Sequence, residues 1–208
     1  MSDPAELLRD FVNTYDVEDD ADELTSAAAL AGWLRDHGLI ADDDRPADDD
    51  LAVAVALREG LRSALRRNHD RAGTPPTGAS QVTGPGEPPQ VPEMSRVSEP
   101  AGVSEGLDAL LAAFPLRVAL AGAVPSLEPI DGGVRGGLAR LAAAVIEAYA
   151  AGTWPRLKVC GEDTCQWAFI DSSKNRSRSW CSMKVCGNRT KTRAYRARHK
   201  TAGSAERR

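Results

Sequence analysis

Apolar residues recur every three or four positions along several stretches of this chain, which is the spacing of helices that bury one face. The first stretch follows Asp3 and Pro4, which suit the N-cap and the first turn of a helix. Thr25 or Ser26 can cap the second helix, and Gly38 can end it. Further helices are predicted over 57–65, 107–114 and 138–149, the last with Leu138, Leu141, Val145 and Tyr149 facing the core.

Loops and one β-hairpin separate these helices. Apolar and polar residues alternate over 116–120, and 125–130 can pair with that segment as a hairpin. The acidic runs 16–23 and 42–50 are predicted as loops. Residues 71–102 hold seven of the thirteen prolines and few large apolar residues, so we expect a flexible loop or linker there.

Three arginines form the polar side of the third predicted helix. Arg58, Arg62 and Arg66 could contact an anion, but an exposed and solvated helix face is the simpler interpretation. The histidines of this region, His37 and His69, belong to no catalytic pattern, and solvation explains the aspartate clusters. Because neither the histidines nor the aspartates form a catalytic pattern, we do not expect the protein to be an enzyme.

Length and composition limit what the chain can be. The 208 residues, 42% of them hydrophobic, suffice for one sizeable core and a small stapled module. No apolar run approaches the roughly 18–20 residues of a membrane span, and the N-terminus lacks the basic and apolar regions of a signal peptide. We expect a cytoplasmic protein with no membrane partner, and the Ala, Arg, Asp and Gly usage is typical of a high-GC bacterium.

The two ends of the chain carry opposite charge. Residues 156–208 hold fourteen Lys and Arg against four Asp and Glu, a formal charge of +10, whereas residues 1–155 carry −14. The formal net charge of −4 conceals this difference. A basic segment joined to an acidic one is typical of a nucleic-acid-binding module attached to a domain with another role.

All four cysteines of the chain lie in the basic segment, at Cys160, Cys165, Cys181 and Cys186. Two short pairs separated by fifteen residues can close on one tetrahedral metal ion, because each pair forms a tight knuckle and the intervening chain returns. The ion is predicted to be a single Zn²⁺. Four thiolates leave no open position for water or substrate, so this zinc should be structural.

The segment between the cysteine pairs is predicted to contain a short strand within 166–171. A module of about fifty residues has little room for a hydrophobic core, so Trp167, Phe169 and Trp180 are expected to pack around the metal rather than to stack on bases. The polar turn 171–179 follows. It offers groups that suit phosphate contacts, with a solvated loop as the alternative: Lys174, Asn175, Arg176 and Arg178.

The sequence from Cys186 to Lys200 favours a helix, because it lacks Pro and has one early Gly. Lys191 and Arg198 lie on one side of it. The other side carries a stripe of four cations, Arg189, Arg193, Arg196 and Lys200. Like charges one turn apart repel, so we expect an anion along the stripe. A DNA or RNA backbone fits best, and an acidic protein partner or a charged surface for solubility is the alternative. The candidate nucleic-acid contacts are Lys174, Asn175, Arg176, Arg178, Asn188, Arg189, Lys191, Arg193, Arg196, Arg198 and Lys200.

The string Cys-Ser-Met-Lys-Val-Cys-Gly-Asn-Arg at 181–189, preceded by Asn-Arg-Ser-Arg-Ser-Trp, resembles the CGNR zinc finger, a family named for those last four letters. The resemblance covers roughly 156–200 and includes both cysteine pairs. Members of that family carry ahead of the finger a domain called ABATE, described as a stress-induced transcription regulator. The string Asp-Phe-Val-Asn-Thr at 10–14 resembles that domain. Its Asn13 could bind a small ligand, with a capping or core hydrogen bond as the alternative.

Together these features predict an α+β fold. A mostly helical N-terminal domain with a small β-hairpin element should cover 1–153, a four-cysteine zinc finger of β-hairpin and basic helix 154–201, and a disordered tail 202–208. The resemblance implies a DNA-binding transcription regulator whose N-terminal domain senses a signal or forms a homodimer. The alternative is a zinc-stabilised module that binds RNA or an acidic protein surface, such as the chain's own 42–50 run. Thiol oxidation could also expel the metal and act as a redox switch.

Overall fold

The computed structural model describes residues 3–72, 104–120 and 125–205, with side chains over 3–70, 107–120 and 125–196. Within those ranges the fold is of the predicted α+β class, with six α-helices and three two-stranded antiparallel sheets. Of the predicted linker 71–102, the first two residues end a helix and the rest lies outside the described residues. The elements are α1 (Pro4–Val12), β1 (Tyr15–Asp16), β2 (Ala21–Asp22), α2 (Ala27–Asp36), α3 (Asp48–Ala72), α4 (Ser104–Leu111), β3 (Leu116–Ala119), β4 (Ser126–Pro129), α5 (Gly133–Ala150), a 3-10 turn (Trp154–Arg156), β5 (Leu157–Val159), β6 (Ala168–Ile170), a π-helical turn (Met183–Gly187) and α6 (Asn188–Ala205).

The first helices begin and end at residues whose roles are visible in the sequence. Asp3 accepts hydrogen bonds from two amides of the first turn of α1, and the Ser26 hydroxyl accepts one from the amide of Ala29 (3.1 Å). Gly38 follows α2 with a φ of +65°, a left-handed conformation that suits glycine. These predicted ends are confirmed. The second acidic run, predicted as a loop over 42–50, is helical from Asp48 onwards, because carboxylates in a first turn stabilise the N-terminus of a helix.

The hydrophobic core lies mainly among α1, α3 and α5. Leu61 and Leu138 are at most 1% exposed, which confirms the predicted apolar faces of α3 and α5. The prediction for Tyr149 is wrong, because its side chain is 70% exposed. Ala148 is buried in its place, since the chain turns after α5 and Trp154 packs back against the core.

The first acidic run forms a small hairpin, although the sequence predicted a loop. Tyr15 of β1 lies opposite Asp22 of β2. The Asp16 carboxylate accepts hydrogen bonds from the amides of Glu18 (2.8 Å) and Asp19 (3.3 Å), and this local bonding closes the turn. The hairpin predicted later in the chain is confirmed as the antiparallel pair of β3 and β4.

Two of the three arginines predicted to be solvated are instead buried. Arg58 and Arg62 are 2% and 4% exposed, whereas Arg66 is exposed. Arg58 forms a bidentate ion pair with Asp22 (2.7 and 2.8 Å), and its hydrogen bonds lower the pKa of that carboxyl. The carbonyl groups at and beyond the end of α1 lack helical partners, so a donor reaches them from α3. That donor is Arg62, which bonds the carbonyl oxygens of Val12 (2.7 Å), Tyr15 (2.9 Å) and Gln166 (3.0 Å).

The cysteine-rich segment is joined to the N-terminal core by apolar and by amide contacts. Leu157 and Ala168, on the paired strands β5 and β6, belong to the same hydrophobic core as α1 and α3. The Asn13 amide donates to the carbonyl of Ala168 (3.0 Å) and accepts from its N–H (2.7 Å). Asn68 donates to the carbonyl of Leu157 (3.1 Å). Asn13 therefore makes the core hydrogen bond that was the alternative to ligand binding.

Candidate metal centre and basic surface

The four cysteine sulfurs converge on one point. All four Sγ atoms lie within 4.8 Å of one another, and Cys181 is 3.6 Å from Cys165 and 3.7 Å from Cys186. A disulfide would need about 2.05 Å. Four sulfurs at about 2.3 Å from a tetrahedral zinc are separated by about 3.8 Å. The distances therefore fit one shared ion and not a pair of disulfides.

In the absence of a cation, the pKa values of these thiols shift in opposite directions, so the four sulfurs cannot all be thiolates. A hydrogen bond from Cys165 lowers the pKa of Cys160 to about 5, and the same contact raises the pKa of Cys165. Burial, and then the charge on Cys160, raise the pKa of Cys181 to about 12. A divalent ion removes the conflict, because it favours thiolate at every ligand. The four cysteine sulfurs, at this spacing, make up one structural zinc site.

Local backbone bonding shapes both cysteine knuckles. In the first, the amides of Cys160 and Cys165 donate to the carbonyl oxygens of Trp167 and Glu162, both at 2.9 Å. In the second, the π-helical turn is capped by Ser182, whose hydroxyl accepts an amide hydrogen bond. The last ligand lies inside that turn, one residue before its end.

Two of the three aromatic rings that the sequence predicted around the centre pack against it. Trp167 and Trp180 pack against the cysteines, and Phe169 is 6% exposed. The Arg178 guanidinium lies 4.9 Å from the centroid of the Phe169 ring. It also donates to the carbonyl oxygens of Trp180 (2.8 Å) and Cys181. Arg178, a predicted phosphate contact, is thus bonded to its own module.

Protein-family models agree with this geometry. The model named CGNR zinc finger matches residues 156–199, which hold all four cysteines. The model named ABATE, with the description "Putative stress-induced transcription regulator", matches residues 5–152. The chain belongs to the ABATE family. No curated protein matches it. Among its described helices, none has the length and apolar character required to span a membrane.

In this ABATE-family chain, the letters C-G-N-R of the finger have separate structural roles. Cys186 supplies the fourth sulfur. A Cβ on Gly187 would lie 2.5 Å from the sulfur of Met183, so a larger residue would displace that side chain. Asn188 donates to the carbonyl oxygen of Lys184 (3.0 Å) and so ties the start of α6 to the π-helical turn. The motif therefore connects the metal centre directly to the basic helix.

A buried ion pair lies beneath the polar turn 171–179. Lys158 and Asp171 are both 0% exposed, with 2.7 Å between Nζ and Oδ2. Lys158 also donates to the carbonyl of Arg176, and Asp171 accepts the amide of Arg178 (3.0 Å). Burial opposes ionisation, but the hydrogen bonds, that from Lys158 first, lower the pKa of Asp171 to about 2. With its backbone bonded inward, the turn exposes the predicted contacts Lys174, Asn175 and Arg176.

Helix α6 confirms the predicted basic helix and extends it. Side chains over 191–196 are all exposed, among them Lys191 and Arg196, and Asn188 is exposed at its start. The predicted contacts Arg198 and Lys200 lie on the helix, but their side chains are outside the described residues. The helix continues to Ala205, so 202–205, predicted as disordered, are helical and 206–208 lie outside the described residues.

Two arginines of the predicted stripe bind carboxylates of their own chain. Arg189 contacts Glu18 of the β1–β2 hairpin at 2.7 Å. Arg193 contacts Glu162 of the first knuckle at 2.8 Å. Hydrogen bonds from Thr190 and then Arg193 lower the pKa of Glu162 against the opposing effect of burial. Over the first two turns of α6, the expected anion beside the stripe is therefore a protein carboxylate.

Sequence reasoning overlooked three charged residues of this region, Glu18, Lys158 and Glu162. None belongs to a recognisable motif, and Lys158 and its partner Asp171 are thirteen positions apart. Only Glu162 has a local signal. It lies between the first two metal ligands, where a carboxylate adds charge to an already anionic centre and so requires a nearby cation.

Proposed function

We propose that this protein is a zinc-dependent, DNA-binding regulator of transcription that responds to stress. The observation that carries the proposal is the position of α6, which begins two residues after the last zinc ligand and exposes its side chains over 191–196 on every face. A cationic helix open to solvent is suited to the major groove of B-form DNA, which is about 12 Å wide. Phosphates beside the groove would offset the repulsion between its cations.

A second exposed surface supports the same function. Lys174, Asn175 and Arg176 project from the turn that Lys158 and Asp171 hold in place. Contacts of this kind position a protein on the phosphate backbone without reading the base sequence. We assign the turn to the backbone and α6 to the groove.

The metal has a structural role in this proposal. Cys160, Cys165, Cys181 and Cys186 would hold Zn²⁺, which when bound supplies folding free energy to a module with few apolar residues. A four-thiolate site offers no open position for a substrate, so we propose a regulator and not an enzyme.

We assign the N-terminal domain to signal sensing or to homodimer formation. A cleft of about 1110 Å³ lies among α1, the β3–β4 hairpin and α5, and Leu7, Ile40, Leu127 and Arg140 line it. The cleft is slightly larger than the roughly 300–1,000 Å³ of most small-molecule sites, and its lining combines apolar and polar groups as theirs does. Asn13 and Arg62 bond the zinc module from the same domain, and these contacts offer a route by which a change there would reach the module.

A second candidate function is binding to RNA or to an acidic protein surface. The contact of Arg189 with Glu18 favours a protein partner, because it demonstrates that the stripe accepts a carboxylate. Double-stranded RNA is less suited to α6, since its major groove is too deep and narrow for side chains to read.

The test is a titration of the full-length, zinc-loaded protein with labelled duplex DNA of mixed sequence, followed by fluorescence anisotropy. Parallel titrations use double-stranded RNA, single-stranded RNA and an acidic peptide of equal charge. The variant is Lys191→Glu with Arg196→Glu, both on the exposed part of α6. The matched control is Arg66→Glu with Arg135→Glu, two exposed arginines of α3 and α5 that undergo the same change in charge.

We expect duplex DNA to bind most tightly, and the α6 variant to lose at least about tenfold in affinity while the control variant loses much less. Equal losses in the two variants would mean that net charge, and not α6, determines binding. Preference for RNA or for the peptide would support the second candidate function instead.

A further inference from the structure

We propose that Glu162 is a positioning residue that holds Arg193 in readiness for a phosphate. The inference rests on the proposed function, because it concerns how α6 meets a polyanion. It assigns a role to a buried carboxylate that is neither a metal ligand nor part of the exposed surface.

The two side chains of this pair differ sharply in exposure. The Glu162 side chain is 1% exposed and that of Arg193 57%, although Nη1 of the arginine is 2.8 Å from Oε1 of the glutamate. One edge of the guanidinium is therefore bonded to the module, while the rest of the group is open to solvent. A guanidinium has five N–H donors, so one contact with Glu162 leaves donors for an incoming phosphate.

The carboxylate itself is held firmly. Its Oε2 is 2.8 Å from the Thr190 hydroxyl, and Thr164 donates to Oε1 at 3.3 Å. The carbonyl oxygen of the same residue accepts the amide of Cys165 (2.9 Å), which is a metal ligand. Glu162 thus connects the first zinc knuckle with the first two turns of α6.

Burial and pre-organisation together give the pair its expected effect. A buried carboxylate that loses its cation is strongly unfavourable, so Glu162 retains Arg193 beside it. A long side chain that is already fixed loses less conformational entropy when it binds a ligand. Arg193 should therefore contribute more affinity for phosphate with Glu162 present than without it.

The pair of Glu18 and Arg189 provides a natural contrast on the same helix. Both of its side chains are partly exposed, 39% and 33% respectively, and their charged atoms are 2.7 Å apart. An exposed pair of this kind is weak and exchanges readily with solvent. Glu18 therefore competes with phosphate for Arg189, whereas Glu162 supports Arg193 from behind.

The two carboxylates predict different effects for the same chemical change. Glu162→Gln and Glu18→Gln each remove one negative charge close to α6. If only net charge mattered, both variants would bind DNA more tightly. We expect Glu162→Gln to bind mixed-sequence duplex DNA about three- to tenfold more weakly than the wild type, and Glu18→Gln to bind equally or up to about threefold more tightly.

A double-mutant cycle tests whether Glu162 acts through Arg193. Affinities are measured for full-length wild type, Glu162→Gln, Arg193→Ala and the double variant, each with its zinc content determined. In the Arg193→Ala background, Glu162→Gln should cause less than about a twofold further loss. A loss as large as in the wild-type background would identify a general structural role for Glu162 and would overturn the inference.

A second variant keeps the inference testable should Glu162→Gln fail to retain zinc. Arg193→Lys preserves the charge but loses the planar fork, so we expect it to weaken DNA binding about threefold or more. Affinity equal to the wild type would overturn the proposed role. If the wild type itself bound no duplex DNA, the proposed function would fail first, and that outcome is distinct from these.

Discussion

The N-terminal region and the zinc module are stabilised by different physical means. In the first, α1, α3 and α5 bury leucines and alanines against one another. In the second, much of what is buried is polar: three of the four cysteine ligands, Glu162, and the pair of Lys158 and Asp171. Buried ion pairs provide little net stability on their own, because desolvation offsets their attraction. The comparison implies that the first region folds by apolar burial and that the second depends on its metal.

The two regions nevertheless share one boundary. Leu157 and Ala168 extend the N-terminal core into the strands that flank the first knuckle. The amides of Asn13 and Asn68 satisfy backbone groups of the same strands. The strands β5 and β6 thus anchor the zinc module to the N-terminal region, whose own folding does not require the metal.

The largest expected effect comes from removing the metal. A chelator should abolish amide-exchange protection in α6 and in both knuckles, because structural zinc contributes roughly 10 kcal/mol to the folding of such modules. Protection in α1, α3 and α5 should persist. Hydrogen exchange followed by mass spectrometry checks both expectations. Persistent protection over 188–196 without metal would contradict the claim that the zinc module depends on its metal.

Breaking the buried ion pair should have the next largest effect. Lys158→Met leaves the Asp171 carboxylate buried without its cation, which should cost about 3–5 kcal/mol in the free energy of unfolding of the module. The matched control is Lys174→Met, at an exposed position, which should change that free energy by no more than about 0.5 kcal/mol. Denaturant titrations measure both. Equal stability of the two variants would exclude the pair as an organiser of the turn.

A cavity in the helical core should destabilise the other region. Leu138→Ala should lower its free energy of unfolding by about 2–5 kcal/mol, while the zinc content stays at one ion per chain. Ile146→Ala, on the exposed side of the same helix, is the control and should have little effect. Loss of zinc in the Leu138 variant would indicate that the two regions fold as one unit.

The smallest predicted effect is at the shared boundary. Asn13→Ala leaves the N–H and the C=O of Ala168 without their side-chain partner, which should cost about 1–3 kcal/mol. Exchange protection should fall in both α1 and β6, because the contact joins them. Asn175→Ala, at an exposed position, should alter neither. A fall confined to one side would show that the amide does not couple the regions.

What the sequence could predict was local. Cysteine spacing identified the metal site, because four ligands in two close pairs need no long-range information. Capping residues such as Asp3 and Ser26 act within one turn and so located helix starts. The alternation over 116–120 and the short connection to 125–130 were likewise sufficient to predict that β3 and β4 pair.

What the sequence could not predict was which distant groups face a charged side chain. Arg58 and Arg62 look solvated on a helical wheel, and they are buried because Asp22 and unpaired carbonyl groups meet them from other elements. Arg193 belonged to a stripe that was expected to face a polyanion. Its contact with Glu162, thirty-one positions earlier, is visible only once the knuckle and the helix are folded together.

The most direct test of the central claim is the salt dependence of duplex DNA binding, measured on the full-length protein with zinc and after its removal. With zinc, we predict a straight line of log affinity against log salt with a slope of about −4.5, if Lys174, Arg176, Lys191, Arg193 and Arg196 each neutralise one phosphate. Without zinc, the affinity should be lower and the slope should be closer to zero. Identical curves for the two forms would contradict the claim that the metal presents these cations to DNA.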